Sequence, residues 1–277
     1  MTEAQQSVQH IFPIMLPKLS LIDISATVGC NLNCKGCNHF SNYFAPGSKI
    51  DTDQLIKDIH TILPRVSLDR VSIIGGEPLL NPRCRELVHA CLEHDHPVYL
   101  YSNGILLEQN MDWIMEDLEN NPSMRLRISV HVDEVVPIVN KIRTDQLVTT
   151  DHRQGKDQWF TSIKHTNDGK VHPYKHNDPE RSFKECSCPN TQLWKGKLWK
   201  CPNSAFLEQL LYATDQSDDE EWQRYLGGGL PVDCSDEELA EFCDNNLKAE
   251  DICNMCTARP LYMSAAMQST KKNKIVF

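Results

Sequence analysis

A chain of 277 residues can bury a full core, as one large domain or one and a half. Its 28 Lys and Arg against 38 Asp and Glu leave a net charge of −10, which argues against nucleic acid as a partner, because broad binding to phosphate backbones depends on cationic counterion release. A local basic pocket for a phosphorylated small molecule stays compatible with that charge.

Residues Met1 to His10 are polar, without the basic-then-apolar pattern of a signal peptide. No apolar run approaches the ~20 residues of a membrane span. A cytoplasmic protein is expected, whose twelve cysteines serve as metal ligands, catalytic groups or core fillers rather than disulfides.

Residues 1–18 read as an N-terminal extension. An apolar run over 19–29 then reads as a strand leading into Cys30-Asn31-Leu32-Asn33-Cys34-Lys35-Gly36-Cys37. Three thiols at C-x3-C-x2-C spacing are an incomplete set for a structural zinc, which closes its tetrahedron with four protein ligands. They are equally incomplete for a cubane iron–sulfur cluster, which takes four cysteines. The loop therefore points to a cluster with one iron left open, or to a zinc site whose fourth ligand comes from elsewhere.

Asp51 reads as the N-cap of a helix with Leu55, Ile56, Ile59, Ile62 and Leu63 on one face, closed by Pro64. A strand over 70–74 ends at Gly75-Gly76-Glu77-Pro78, where glycines permit close backbone approach and a carboxylate suits an ammonium group. Asn81 and Pro82 read as the start of the next helix, with Cys84 and Cys91 on its apolar side as packing residues. Strand 97–101 runs to Ser102-Asn103-Gly104, and a helix is expected around 110–118. Strand 125–132 carries Ser129 and His131, and a short helix over 134–142 is interrupted by Pro137. Segments 146–149 and 158–163 are further candidate strands. This alternation implies a parallel sheet with helices outside it, in about six β/α units, too few for a closed eight-unit barrel.

Residues 166–185 read as a linker or loop. Seven of the twelve cysteines fall in 186–277, which reads as a second, small Cys-rich domain. Apolar residues alternating either side of Gly196 predict a β-hairpin that brings Cys201 back towards Cys186 or Cys188, and Cys253 and Cys256 form a distant C-x2-C pair. One of Cys186 and Cys188, together with Cys201, Cys253 and Cys256, makes four thiolates, a set that suits zinc as well as iron–sulfur. Cys234 and Cys243 flank an acidic helix and read as packing residues, with a ligand or hydrogen-donor role as the alternative.

The Cys30–Cys37 loop followed by Gly75-Gly76-Glu77-Pro78 resembles the radical S-adenosylmethionine (SAM) superfamily. The resemblance implies an open, partial (β/α)6 barrel over 19–165. It also implies a [4Fe-4S] cluster on Cys30, Cys34 and Cys37, with the open iron binding SAM, which reductive cleavage turns into a 5′-deoxyadenosyl radical. Gly75, Gly76, Glu77 and Pro78 are then expected at the methionine amino group, and Ser129 and His131 at the ribose or carboxylate, with Ser102 and Asn103 adding polar contacts. The residue before the third cysteine is commonly aromatic in the family and helps hold adenine. Here it is Gly36, and His39 or Phe40 is the expected replacement.

The C-terminal cysteines resemble the twitch domain, which carries a second, auxiliary [4Fe-4S] cluster, and Cys186 fits its spacing better than Cys188. No cysteine follows Cys256, so one auxiliary cluster is expected rather than the two of the longer SPASM form.

The implied reaction is hydrogen-atom abstraction from a sugar- or cyclitol-like small molecule, with net oxidation and the auxiliary cluster as electron acceptor. An external donor such as flavodoxin or ferredoxin would supply the reducing electron. His152, Arg153, His165 and His172 fall in the part of the barrel where a base is needed. A peptide maturase is an alternative; with about 18 residues before the first strand, a peptide substrate would need a separate partner. An epimerase is another, with Cys234 or Cys243 as hydrogen donor. A zinc-stapled binding protein and an iron–sulfur electron carrier remain as non-enzymatic readings.

Overall fold

The computed structural model describes residues 15–34, 36–48, 50–142, 147–152, 159–186, 189–259 and 262–263. In chain order the first part runs β1 (Lys18–Thr27), α1 (Thr52–Ile62), β2 (Ser67–Gly75), α2 (Cys84–Leu92), β3 (Val98–Ser102), α3 (Leu107–Asn120), β4 (Met124–Val130), α4 (Val136–Lys141) and β5 (Val148–His152). The second part runs β6 (Trp159–Phe160), β7 (Lys164–His165), β8 (Val171–His172), α5 (Pro179–Lys184), β9 (Thr191–Trp194), β10 (Lys197–Trp199), α6 (Pro202–Ala213), α7 (Glu220–Gln223), β11 (Leu230–Pro231), α8 (Asp236–Asn246) and β12 (Tyr262–Met263).

One eight-stranded sheet has the order β11-β10-β9-β1-β2-β3-β4-β5. Strands β1 to β5 pair in parallel with their neighbours, as the helical crossovers between them require. The architecture is thus α/β with a mainly parallel sheet, as the alternation of elements predicts, in the partial-barrel form that the resemblance implies.

Local chemistry sets most of the boundaries. Asp51 caps α1, its side chain accepting from the Gln54 N–H at 2.9 Å, and Leu55, Ile59 and Ile62 point inward. Asn81 does not cap α2. Its Oδ1 turns to the Arg83 N–H (2.9 Å) and its Nδ2 donates to the Ala26 carbonyl (2.9 Å), so the helix begins at Cys84. Cys84 and Cys91 are buried in the main core, as their helical spacing predicts. Of the expected strand over 158–163, Trp159 and Phe160 are strand, paired with β12.

The predicted hairpin forms, and its central residues Lys195 and Gly196 both have positive φ (50° and 71°), the twist that a tight two-residue turn needs. Its placement was not legible. Strand β9 pairs in parallel with β1, Ile22 opposite Thr191 and Ile24 opposite Leu193, so the hairpin extends the barrel sheet. Residues 166–185 contain β8, which pairs with β7, and α5.

Two apolar clusters result. The larger lies between the sheet and α1–α3 and takes alternate strand residues such as Ile22, Ile24, Val71, Ile73, Leu100 and Leu126. The smaller gathers around α6, with Phe44, Phe206, Leu210, Trp222 and Met255.

Candidate functional site

The C-terminal ends of the parallel strands converge on a cavity of about 330 Å³. Cys30, Cys34 and Cys37 all line it, as do Gly75, Gly76, Glu77 and Pro78. The two motifs are tied directly: the Gly76 N–H donates to the Thr27 carbonyl (2.9 Å) and the Glu77 N–H to the Gly29 carbonyl (3.0 Å). Glycine is required at 76, because a Cβ there would lie 1.8 Å from the Gly29 carbonyl oxygen.

Glu77 is fully buried, and three donors fix its carboxylate. Ser102 Oγ (2.9 Å) and the Leu79 N–H (3.2 Å) reach Oε1, and the Asn103 N–H (2.7 Å) reaches Oε2. Burial pushes its pKa up to about 7, against these hydrogen bonds. Asn103 also donates from Nδ2 to Asn31 Oδ1 (2.7 Å) and towards Cys30 Sγ (3.6 Å), linking the third strand to the cysteine loop. The Leu32 N–H points at Cys30 Sγ (3.3 Å).

Ser129 and His131 line the same cavity from the end of β4, with Ser102 and Asn103 beside them. His39 also lines it; its ring packs on Phe206 with centroids 5.5 Å apart, and burial lowers its pKa to about 4. Phe40 does not line the cavity. Its φ of 54° swings the ring away into the smaller apolar cluster, where it is 3% exposed, so His39 is the adenine-side candidate that the geometry keeps.

The second thiol set lines a smaller cavity, with Cys186, Cys201, Cys253 and Cys256 all on its wall. Lys200 organises it. Its buried ammonium donates to the carbonyls of Asn245 (3.2 Å), Asn246 (3.2 Å) and Lys248 (2.7 Å) and pairs with Glu250 (2.6 Å), folding the end of α8 and the Cys253 segment back onto Cys201. Ser182 Oγ donates to the Cys256 carbonyl (3.1 Å), and Asn203 Nδ2 donates to Cys256 Sγ (3.2 Å). Burial first, and the neighbouring thiols after it, push Cys201 up to about 11 and raise Cys256 as well. Among the described residues, no three His, Cys, Asp or Glu side chains are gathered closely enough to hold a single metal ion. In both sets the thiols surround a cavity.

The two cavities are neighbours along the chain as well as in space. Pro189 and Cys201 line the smaller one, and their successors Asn190 and Pro202 line the larger.

The remaining expected residues sit elsewhere. Cys243 is buried in the main core and Cys234 packs against it, because the apolar face of α8 turns inward; neither lines either cavity. His165 bonds the Tyr43 hydroxyl on an exposed hairpin, and His172 pairs with Glu221. His152 ends β5, with its side chain outside the described part, and Arg153 and Cys188 lie outside the described residues.

Asp23 was missed by the sequence reading. It lies in the middle of β1 on the cavity wall, 2% exposed, and accepts from Asn190 Nδ2 (3.1 Å) and Gln192 Nε2 (3.0 Å). Burial raises its pKa to about 6. A polar residue inside a parallel strand was the available signal.

Comparison with known proteins agrees with this geometry. Residues 24–149 match the Radical SAM superfamily. GTP 3′,8-cyclase of Aquifex aeolicus (strain VF5) is 28% identical over 126 residues, 43% of this chain and 38% of that protein. AdoMet-dependent heme synthase of Methanosarcina barkeri (strain Fusaro) is 33% identical over 112 residues, 40% of this chain and 30% of that protein. The chain thus spans about a third of the length of these curated relatives. The crystal structure of BtrN in complex with AdoMet and 2-DOIA superposes with a TM-score of 0.51 at 16% identity, covering 88% of this chain and 94% of BtrN, a likeness of fold.

Proposed function

Residues 24–149 are a radical SAM domain, and on that premise we propose that the protein oxidises a sugar- or cyclitol-like small molecule. The observation that carries this reading is the shared wall of one cavity: Cys30, Cys34 and Cys37 on one loop, with the buried, three-fold-held carboxylate of Glu77 beside them.

The residues present fit the group that the domain implies. Three thiols on one cavity wall leave a cubane cluster one position short, the position that SAM would take. Glu77 offers its charge to the ammonium of SAM, and the glycines before it let a small polar ligand approach the backbone. Ser129, His131 and Asn103 supply donors and acceptors for its carboxylate and ribose, and His39 a ring for its base. When bound, cluster and SAM supply a 5′-deoxyadenosyl radical that takes a hydrogen atom from the substrate, using an electron delivered by a protein such as flavodoxin or ferredoxin.

Cys186, Cys201, Cys253 and Cys256 would hold a second cluster. With four thiolates that cluster has no position for substrate, which leaves electron acceptance as its task. The backbone joints Pro189-Asn190 and Cys201-Pro202, each with one residue on either cavity, support that role. Net two-electron oxidation of a hydroxyl to a ketone is the reaction this arrangement serves best.

Anaerobic purification tests the reading. A brown protein that forms 5′-deoxyadenosine from SAM on reduction supports it. A colourless chain with stoichiometric zinc overturns it, and an iron protein unable to cleave SAM points to an electron carrier.

A further inference from the structure

Parallel strands covered by helices normally read as continuous apolar runs, because both of their faces are dry. Here β3 and β4 alternate strictly, and β2 does so over Arg70–Ile73 in residue type. Val71, Ile73, Val98, Leu100, Leu126 and Ile128 face the helices and are buried in the main core. Arg70, Ser72, Tyr99, Tyr101, Arg127 and Ser129 take the opposite face, towards the barrel lumen, and Tyr101 and Ser129 line the large cavity. Tyr99 and Arg127 stand two residues earlier on the same strands, so they form a tier about 7 Å deeper in the lumen. Arg70 stands four residues before Ile74, which is itself on the cavity wall.

In that lower tier two guanidinium groups share one ring. The Arg70 Cζ lies 5.7 Å from the Tyr99 ring centroid and the Arg127 Cζ 5.2 Å from it. Stacking fixes both groups in place but leaves their in-plane N–H groups free to bond. The Nε of each is buried without a hydrogen-bond partner among the described residues, and so is the hydroxyl of Thr149, which stands opposite Arg127 on β5.

Neither guanidinium makes an ion pair among the described residues, whereas Arg65, Arg83, Arg85 and Arg224 each hold a carboxylate at 2.6–2.8 Å. Asp23 feels the charge of Arg70, yet its own carboxylate is taken by Asn190 and Gln192. Two half-buried like charges with unused donors, in a chain of net charge −10, are a pair waiting for an oxyanion.

We propose that Arg70, Tyr99 and Arg127 form an oxyanion subsite beneath the reaction cavity, which anchors a phosphate or carboxylate carried by the substrate and leaves the substrate's far end at the cysteine loop. This rests on the enzymatic reading of the cavity above. Arg127, one tier below Ser129, sets the depth, so the anion and the reacting carbon sit at opposite ends of one molecule.

The test titrates the anaerobically isolated full chain at low salt with inorganic phosphate and, separately, with succinate, followed by calorimetry. Saturable binding of either anion is expected, weakened about tenfold in Arg127→Gln and in Arg70→Gln at unchanged thermal midpoint. The anion that binds more tightly identifies phosphate or carboxylate. Absence of saturable binding by both anions overturns the proposal, as does undiminished binding in a folded Arg70→Gln or Arg127→Gln chain. Formation of 5′-deoxyadenosine from SAM is scored on the same preparation, so a failure of the enzymatic reading shows there and not in the anion titration.

Discussion

The Glu77 N–H donates to the Gly29 carbonyl across 3.0 Å, one residue before Cys30. Two motifs far apart in sequence are therefore one rigid unit, and neither can shift without moving the other. Gly76→Ala forces a methyl into that Gly29 oxygen. A loss of about 3 kcal/mol is expected from overpacking against backbone, together with loss of SAM binding. Thermal unfolding and SAM titration of the variant check both.

If Glu77 holds the SAM ammonium, as proposed, it sets the pH dependence of SAM binding. With its pKa near 7 the carboxylate is largely charged at pH 8 and largely neutral at pH 6. Affinity for the SAM ammonium should therefore fall roughly tenfold as pH drops from 8 to 6. Glu77→Gln should bind more weakly at pH 8, by about tenfold or more, with no such slope. Equilibrium dialysis at both pH values distinguishes the two proteins.

Asp23 acts on stability with the opposite sense. Its folded pKa, near 6, lies above the unfolded value near 3.9, so the folded state binds the extra proton between those values. Its contribution is fully present below about pH 4 and is lost as pH rises through 6. Asp23→Asn should unfold at higher urea than the parent at pH 7, by about 2–3 kcal/mol, with the difference vanishing near pH 4. Urea titrations at pH 7 and pH 4 read this directly.

On the proposed reading the thiols divide into ligands and packing. Cys201→Ala or Cys256→Ala should remove about half of the iron, one of two cubanes, while Cys84→Ala and Cys91→Ala should leave iron unchanged and cost about 1 kcal/mol of stability each. Iron analysis and thermal midpoints of the four variants make the comparison.

The legible parts of this protein were those that short-range chemistry fixes. The Cys30–Cys37 spacing, the Asp51 cap and the Lys195-Gly196 turn each depend on residues within a few positions of one another. Phe40 was misjudged because a single positive φ, not visible in composition, reverses its direction. Asn81 was misread as a cap because its Oδ1 accepts from the Arg83 N–H, ahead of the helix, while its Nδ2 is held by the Ala26 carbonyl, a partner far off in sequence.

The parallel pairing of β9 with β1 was hidden for the same reason: hairpin patterning reports the partner across the turn and says nothing of the other side. The lumen residues Arg70, Tyr99 and Arg127 were overlooked because apolar periodicity draws attention to the helix-facing half of each strand. Their alternation, most regular in Met124–Val130, was in plain view.

The seating of β9 against β1 also governs what can be removed from this protein. Cutting the chain before residue 186 would strip β1 of its neighbour and expose a row of free peptide groups, the template on which sheets polymerise. The same cut would take Asn190 and Pro202 from the chamber wall and unclamp Asp23. The C-terminal cysteine region thus covers the β1 edge of the partial barrel, and a shortened chain is expected to aggregate before its chemistry can be assayed.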